Sequence, residues 1–251
     1  MQPQSVRHIL SEVGWNVRQV GEEMHGEAQA IAPLLVPELP HVRVSMLAAW
    51  ADQLLGLLAV RIMAPRVPTT LELDVHLYRA APGTGAIRGR GRLLKAGRSV
   101  LTSVVEFSDA RGEVFAEGAG SFMLAGDPDV RLPHAISLDL PPRAARLDEP
   151  IAQRAGCERH GPVVAVLPRR EDGLNSSNTV NGGLLAVVVE EALLSLAPHT
   201  TLSSLGLRYL RPVRTGPAVA RARLRHGLGM VELFDEGNEN RLAVTATARV
   251  F

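Results

Sequence analysis

Two carboxylates stand where carboxylates are costly. Asp52 lies inside the apolar run from Ser45 to Val60, and Glu190 inside the run from Gly182 to Ala197. A carboxylate taken out of water needs a partner or a purpose. Each therefore caps a loop, pairs with an arginine, or serves as a base or nucleophile. The other reactive side chains form no constellation. His76, His160 and His226 are scattered without metal-ligand spacing, so no metal site is expected. The one cysteine, Cys157, cannot make an internal disulfide or a thiolate cage, and no partner marks it as a nucleophile. There is no phosphate loop and no dinucleotide glycine fingerprint. Arg88, Arg90 and Arg92 alternate, as do Arg221, Arg223 and Arg225. On strands each triplet shares one face. Such a face could hold phosphates, but a solvated sheet surface is the expected reading.

The elements that must position the two acids come twice. Leu73, Val75, Leu77 and Arg79 match Leu205, Leu207, Tyr209 and Arg211 at an offset of 132, and the arginine triplets follow at 133. Each half carries one long apolar run upstream of these strands, Ser45 to Val60 and Gly182 to Ala197. Apolar on nearly every side, each reads as a buried helix. Each half ends in strand-like runs around acidic or glycine turns. The expectation is an α+β fold of two units, each an antiparallel sheet wrapped around a central helix. The units are placed at 12–125 and 151–251, joined by a proline-rich linker at 126–150, with a short extra helix before Trp15.

Composition narrows the class. Of 251 residues, 46% are hydrophobic and 21% charged, as in ordinary globular proteins. Lys and Arg number 27 against 26 Asp and Glu, a formal charge of +1 that excludes a chain built mainly for nucleic acid. The N-terminus shows no targeting pattern, and each apolar run falls short of the roughly 20 residues of a membrane span. A cytoplasmic protein without a membrane span is expected.

The run Asn175-Ser-Ser-Asn-Thr-Val-Asn181-Gly182-Gly183, then Glu190, then Gly206-Leu-Arg-Tyr209-Leu-Arg211-Pro212 resembles the hotdog-fold acyl-CoA thioesterases, in particular their PaaI-like branch. The resemblance implies a fused double hotdog that hydrolyses an acyl-CoA to free acid and coenzyme A. Coenzyme A would be part of the substrate, with no separate cofactor, and an acyl-carrier thioester is an allowed variant. Further pairing of fused chains into a homo-oligomer is a reasonable expectation.

By the family's spacing, Gly182 is the oxyanion donor at the head of the helix, Asn175 the loop asparagine, and Glu190 the helical acid of the second unit. Asn181 replaces the usual histidine. In the first unit the acid is Asp52, while the glycine, histidine and asparagine positions are Val44, Arg43 and Pro37. Sites of this branch are composite. The resemblance thus implies one intact site, with Asp52 and Thr70 from the first unit and Asn175 and Gly182 from the second. The pairing of Glu190 with Pro37 and Val44 would be degenerate. In the opposing reading Glu190 acts with its own loop, and Glu191 competes by one residue of register. Asn181, Gly183 and Trp50 are expected to touch substrate. The alternatives are a non-catalytic acyl-CoA-binding protein and a hotdog hydratase or dehydratase. The latter lacks an evident His–acid pair.

Overall fold

The computed structural model describes residues 7–125, 131–132 and 143–251. The first half runs β1 (Asn16–Val20), β2 (Glu23–Gln29), α1 (Val44–Met63), β3 (Pro68–Leu77), β4 (Ala86–Ala96), β5 (Val100–Ser108) and β6 (Val114–Leu124). The second runs α2 (Ile151–Arg154), β7 (Glu158–Arg159), β8 (Val164–Leu167), α3 (Gly182–Leu194), β9 (Leu202–Tyr209), β10 (Ala218–Arg225), β11 (Leu228–Asp235) and β12 (Arg241–Val250). Single 3-10 turns lie at Ile9–Ser11, Ala32–Leu34 and Glu171–Gly173, the first where a short helix is expected.

All the described strands join one antiparallel sheet in the order β1-β2-β4-β5-β6-β3-β9-β12-β11-β10-β8-β7. Each half keeps its own strands together, and the halves meet where β3 pairs with β9. Those are the two strands that the repeat makes equivalent. Leu73 faces Leu207, Val75 faces Leu205, and Asp74 faces Gly206 between them. This reciprocal register is what a local two-fold axis through the Asp74–Gly206 pair produces. Gly206 leaves room there: a Cβ would lie 2.5 Å from the Asp74 carboxylate, which takes a bond of 2.9 Å from Arg208.

The helices lie on the inner face and run antiparallel to one another. The N-terminus of α1 meets Glu190 of α3, and the N-terminus of α3 meets Ala49 of α1. A Cβ on Gly183 would sit 2.7 Å from that of Ala49, so glycine sets the close approach of the helices. The α1 helix extends to Met63, three residues past the expected end, and stops where Pro65 disfavours a helical Ala64. At 20 residues it is long and apolar enough to cross a bilayer, yet it is a core helix with both its N-terminal turns and its middle buried.

In the first half the space between α1 and the sheet is filled by aromatic side chains. Trp15 stacks on Trp50 with ring centroids 4.8 Å apart and planes 6° from parallel, and Phe107 packs beside Trp15. Glycine makes the space: a Cβ on Gly26 would come within 2.0 Å of the Trp15 ring. Of the expected linker, residues 126–130 and 133–142 lie outside the described residues. Its described end is fastened to the start of the chain, with Arg146 N–H donating to the Glu12 carbonyl at 2.8 Å and Leu147 buried.

Candidate active site

The α3 helix begins in a loop that its own side chains build. The Asn175 carboxamide oxygen accepts from Ser177 N–H (2.9 Å), Thr179 N–H (3.2 Å) and the Thr179 hydroxyl (3.1 Å). Asn181 then caps the helix, its Oδ1 accepting from Gly183 N–H at 2.8 Å. The first backbone N–H groups of a helix have no intrahelical acceptor. The cap satisfies that of Gly183, whereas Gly182 N–H finds no acceptor among the described residues. Gly182 therefore offers a free donor at the positive end of the helix dipole.

Asp52 sits in the third turn of α1 with its carboxylate taking the Thr70 hydroxyl hydrogen at 2.7 Å. Thr70 is on β3, where it faces Phe122 of β6. Burial raises the Asp52 pKa above the ordinary carboxylate range, and the Thr70 hydrogen bond opposes that rise. Tyr209, at the end of β9, joins the two halves. Its hydroxyl donates to the Gly182 carbonyl at 3.2 Å, and its ring would lie 3.4 Å from a Cβ on Gly182. Its pKa is pushed well up, first by burial and then by the charge of Asp52. Asp52 and Thr70 of the first half thus share a neighbour with Gly182 of the second.

The equivalent position at the head of α1 is occupied from within. Glu190 is 0% exposed. Its carboxylate accepts from Val44 N–H (3.0 Å), Ser45 N–H (3.3 Å) and the Ser45 hydroxyl (2.5 Å). Burial raises its pKa, and the guanidinium of Arg43, 3.7 Å away, lowers it. Arg43 is buried too; it pairs with Glu191 at 2.6 Å, and Arg159 holds the other oxygen of Glu191 at 2.7 Å. A surface cleft of about 360 Å³ opens beside this network, lined by Pro37, Arg43, Cys157, Arg159 and Glu191 among others. Burial pushes the Cys157 thiol up to about 12, so it stays protonated at neutral pH. Glu190 lies at Val44, as the degenerate pairing places it, and not at the head of its own helix. Glu191 is committed to two arginines.

Several expected site residues stand elsewhere. Trp50 is 1% exposed and is held in the aromatic stack with Trp15. Gly183 is spent on the cap and on Ala49; Asn181 is the cap. The Asn175 oxygen shapes the loop. Tyr209, part of the motif at 206–212 with no expected role, joins the candidate site through Gly182 and Asp52. The signal available was a phenol at the end of the strand after the helix, in register with Leu77 of the other half. The arginine triplets lie exposed on the outer face: Arg88 pairs with Glu27 at 2.9 Å and Arg90 with Glu23 at 2.7 Å, and Arg221 stacks on Phe234. Among the described residues no group of three His, Cys, Asp or Glu stands together as a metal site.

The thioesterase superfamily model matches residues 43–116, from the cap of α1 through Asp52 and Thr70 to β6. The match falls on the first unit, although the loop motif is better kept in the second. No curated protein sequence matches the chain. Solved structures do. The 12:0-ACP thioesterase of Umbellularia californica aligns with a TM-score of 0.67 at 11% identity, over 93% of this chain and 99% of that one. The tesB protein of Mycobacterium avium subs paratuberculosis gives 0.63 at 15% identity, over 97% of both chains. A hot dog fold protein of Alicyclobacillus acidocaldarius gives 0.60 at 16%, over 98% of both. At such identities these likenesses establish the fold. The chain has the hotdog fold, with both units of a double hotdog on one polypeptide, and its first unit matches the thioesterase superfamily model.

Proposed function

We propose that the chain hydrolyses acyl thioesters, acyl-CoA in the first instance, at one composite site. The observation that carries this is the pairing of the Asp52 carboxylate and Thr70 hydroxyl with the unengaged Gly182 N–H across Tyr209. The thioester carbonyl oxygen would accept from Gly182 N–H, where the α3 dipole stabilises the oxyanion that forms. Asp52 would take a proton from the attacking water, or attack the carbonyl itself and expel the thiolate, giving a mixed anhydride that water then hydrolyses to free acid and Asp52. In the first course the tetrahedral intermediate collapses and expels the coenzyme A thiolate, leaving the free acid. Thiolate is a good leaving group, so a carboxylate suffices as the base. Thr70 would orient the carboxylate and keep it ionised. Asn175 acts in this reading by holding the loop that aims Gly182.

The position of Glu190 argues against its use as the acid. Its oxygens fill the spot at Val44 and Ser45 that an oxyanion would need. The deciding experiment is thiol release from short, medium, long and aromatic acyl-CoAs and an acyl-carrier thioester, with wild type, Asp52→Asn and Glu190→Gln. Turnover lost only in Asp52→Asn supports the reading. Turnover lost only in Glu190→Gln moves the chemistry to the other helix. Saturable acyl-CoA binding without thiol release replaces the enzyme with an acyl-CoA-binding protein.

A further inference from the structure

Gly56 stands in the middle of the 20-residue α1 helix, one turn beyond Asp52 and on the same face. Glycine is the poorest non-proline residue at a helix interior, so its presence there calls for a cause. Packing does not supply one. A Cβ on Gly56 would meet a single atom within 4 Å, Cε1 of Phe122 at 3.9 Å, an ordinary contact that leaves room for alanine. The glycines at other helix contacts differ: a Cβ on Gly183 meets Ala49 at 2.7 Å. Gly56 also keeps partial solvent exposure, as do Val60 and Met63 farther along α1. Phe122, the atom nearest to that empty space, faces Thr70 across β3 and β6. The open position is therefore contiguous with the Asp52–Thr70 pair.

The other helix provides the control. With Val44 aligned on Gly182 and Asp52 on Glu190, the counterpart of Gly56 is Leu194, a residue 3% exposed. The helix whose acid serves as a plug is filled at this position, and the helix whose acid is proposed to work with the free N–H is open. On the other side of α1 the Trp15–Trp50 stack blocks the way.

From these observations we infer that Gly56 sets acyl-chain length: the acyl group leaves the thioester carbon over Gly56, against Phe122, and continues past Val60 toward Met63. This rests on the thioesterase reading of the Asp52 site. Gly56 lies about 6 Å and Met63 about 16 Å along the helix axis from Asp52, at 1.5 Å per residue. The substrate class implied is a straight acyl chain of medium length or more.

The test compares Gly56→Ala and Gly56→Leu with wild type on butyryl-, octanoyl- and dodecanoyl-CoA, together with thermal midpoints. Gly56→Ala raises the midpoint and lowers kcat/KM for the long chains slightly. Gly56→Leu lowers kcat/KM for dodecanoyl-CoA about tenfold or more relative to butyryl-CoA. Equal losses at every length, or none, overturn the inference while leaving the thioesterase reading intact. If wild type releases thiol from no acyl-CoA, that reading fails. The inference is then judged by calorimetric binding of the butyl and dodecyl thioethers of coenzyme A. Weakening of the dodecyl compound alone in Gly56→Leu supports it; equal binding of both compounds overturns it.

Discussion

The heads of α1 and α3 occupy equivalent places in one fold and have come to opposite ends. At α3, Asn181 takes one backbone N–H and leaves that of Gly182 unengaged, next to the Tyr209 that feels the charge of Asp52. At α1, Glu190 reaches across from the other helix and takes both Val44 and Ser45 N–H. The contrast lies in where the neutralising oxygen comes from. A local asparagine satisfies the helix and leaves an opening. A carboxylate from the opposing helix satisfies it and closes the opening, with Arg43 buried alongside as counter-charge. The geometry that binds an oxyanion and the geometry that caps a helix are the same, and only the ownership of the oxygen differs.

The comparison can be broken most sharply at its two acids. Asp52→Asn should lower kcat/KM for acyl-CoA about a thousandfold, the scale of a lost general base or nucleophile, with the circular dichroism spectrum unchanged. Glu190→Ala should leave the rate per folded molecule close to wild type. It should cost about 3 kcal/mol in urea unfolding, because Arg43 and two helix N–H groups lose their partner in a buried site. If Glu190→Ala instead abolished turnover in a folded protein, the two helices would have to exchange roles.

Finer tests address the partners of each acid. Burial raises the Asp52 pKa and the Thr70 hydroxyl lowers it, and the proposed mechanism needs the ionised form. The acidic limb of kcat/KM should therefore lie above the usual carboxylate value of about 4. In Thr70→Val it should move to still higher pH, because the opposing hydrogen bond is gone. A limb that moved to lower pH would contradict the contact at 2.7 Å. The smallest effect belongs to the cap: Asn181→Ala should cost about 1 kcal/mol in thermal or urea unfolding, and Asn181→Gly a few tenths. Catalysis should fall modestly in both, since the α3 head would be less rigidly held.

Much of this was legible in the residues. The offset between Leu73 and Leu205 marked two strands as equivalent, the apolar runs placed both core helices, and the structure pairs those strands at the centre. The resemblance to the thioesterase family, carried over by its glycine and acid spacing, brought Asp52, Thr70 and Gly182 into one hypothesis. What escaped depends on long-range contacts. Glu190 meets Val44 across 146 residues, and no local pattern says which helix head a buried acid will reach. Trp50 resembled a pocket residue until Trp15, admitted by Gly26, stacked on it. Tyr209 could be read as a strand residue, and only the pairing of β9 with β3 brings it beside Asp52. The helix ends were missed by about one turn because the apolar pattern does not mark where a proline downstream stops the chain.

The seam between β3 and β9 has a consequence in mass action. A site assembled from two separate polypeptides is lost on dilution, when the subunits part. In the proposed site both contributors are on one chain, so the second meets the first at a fixed effective concentration whatever the bulk value. Specific activity should stay flat down to nanomolar protein. The same linkage removes the constraint of identity: a substitution in α3 is not copied into α1. Glu190 could become a plug at one helix head while Asp52 remained free at the other.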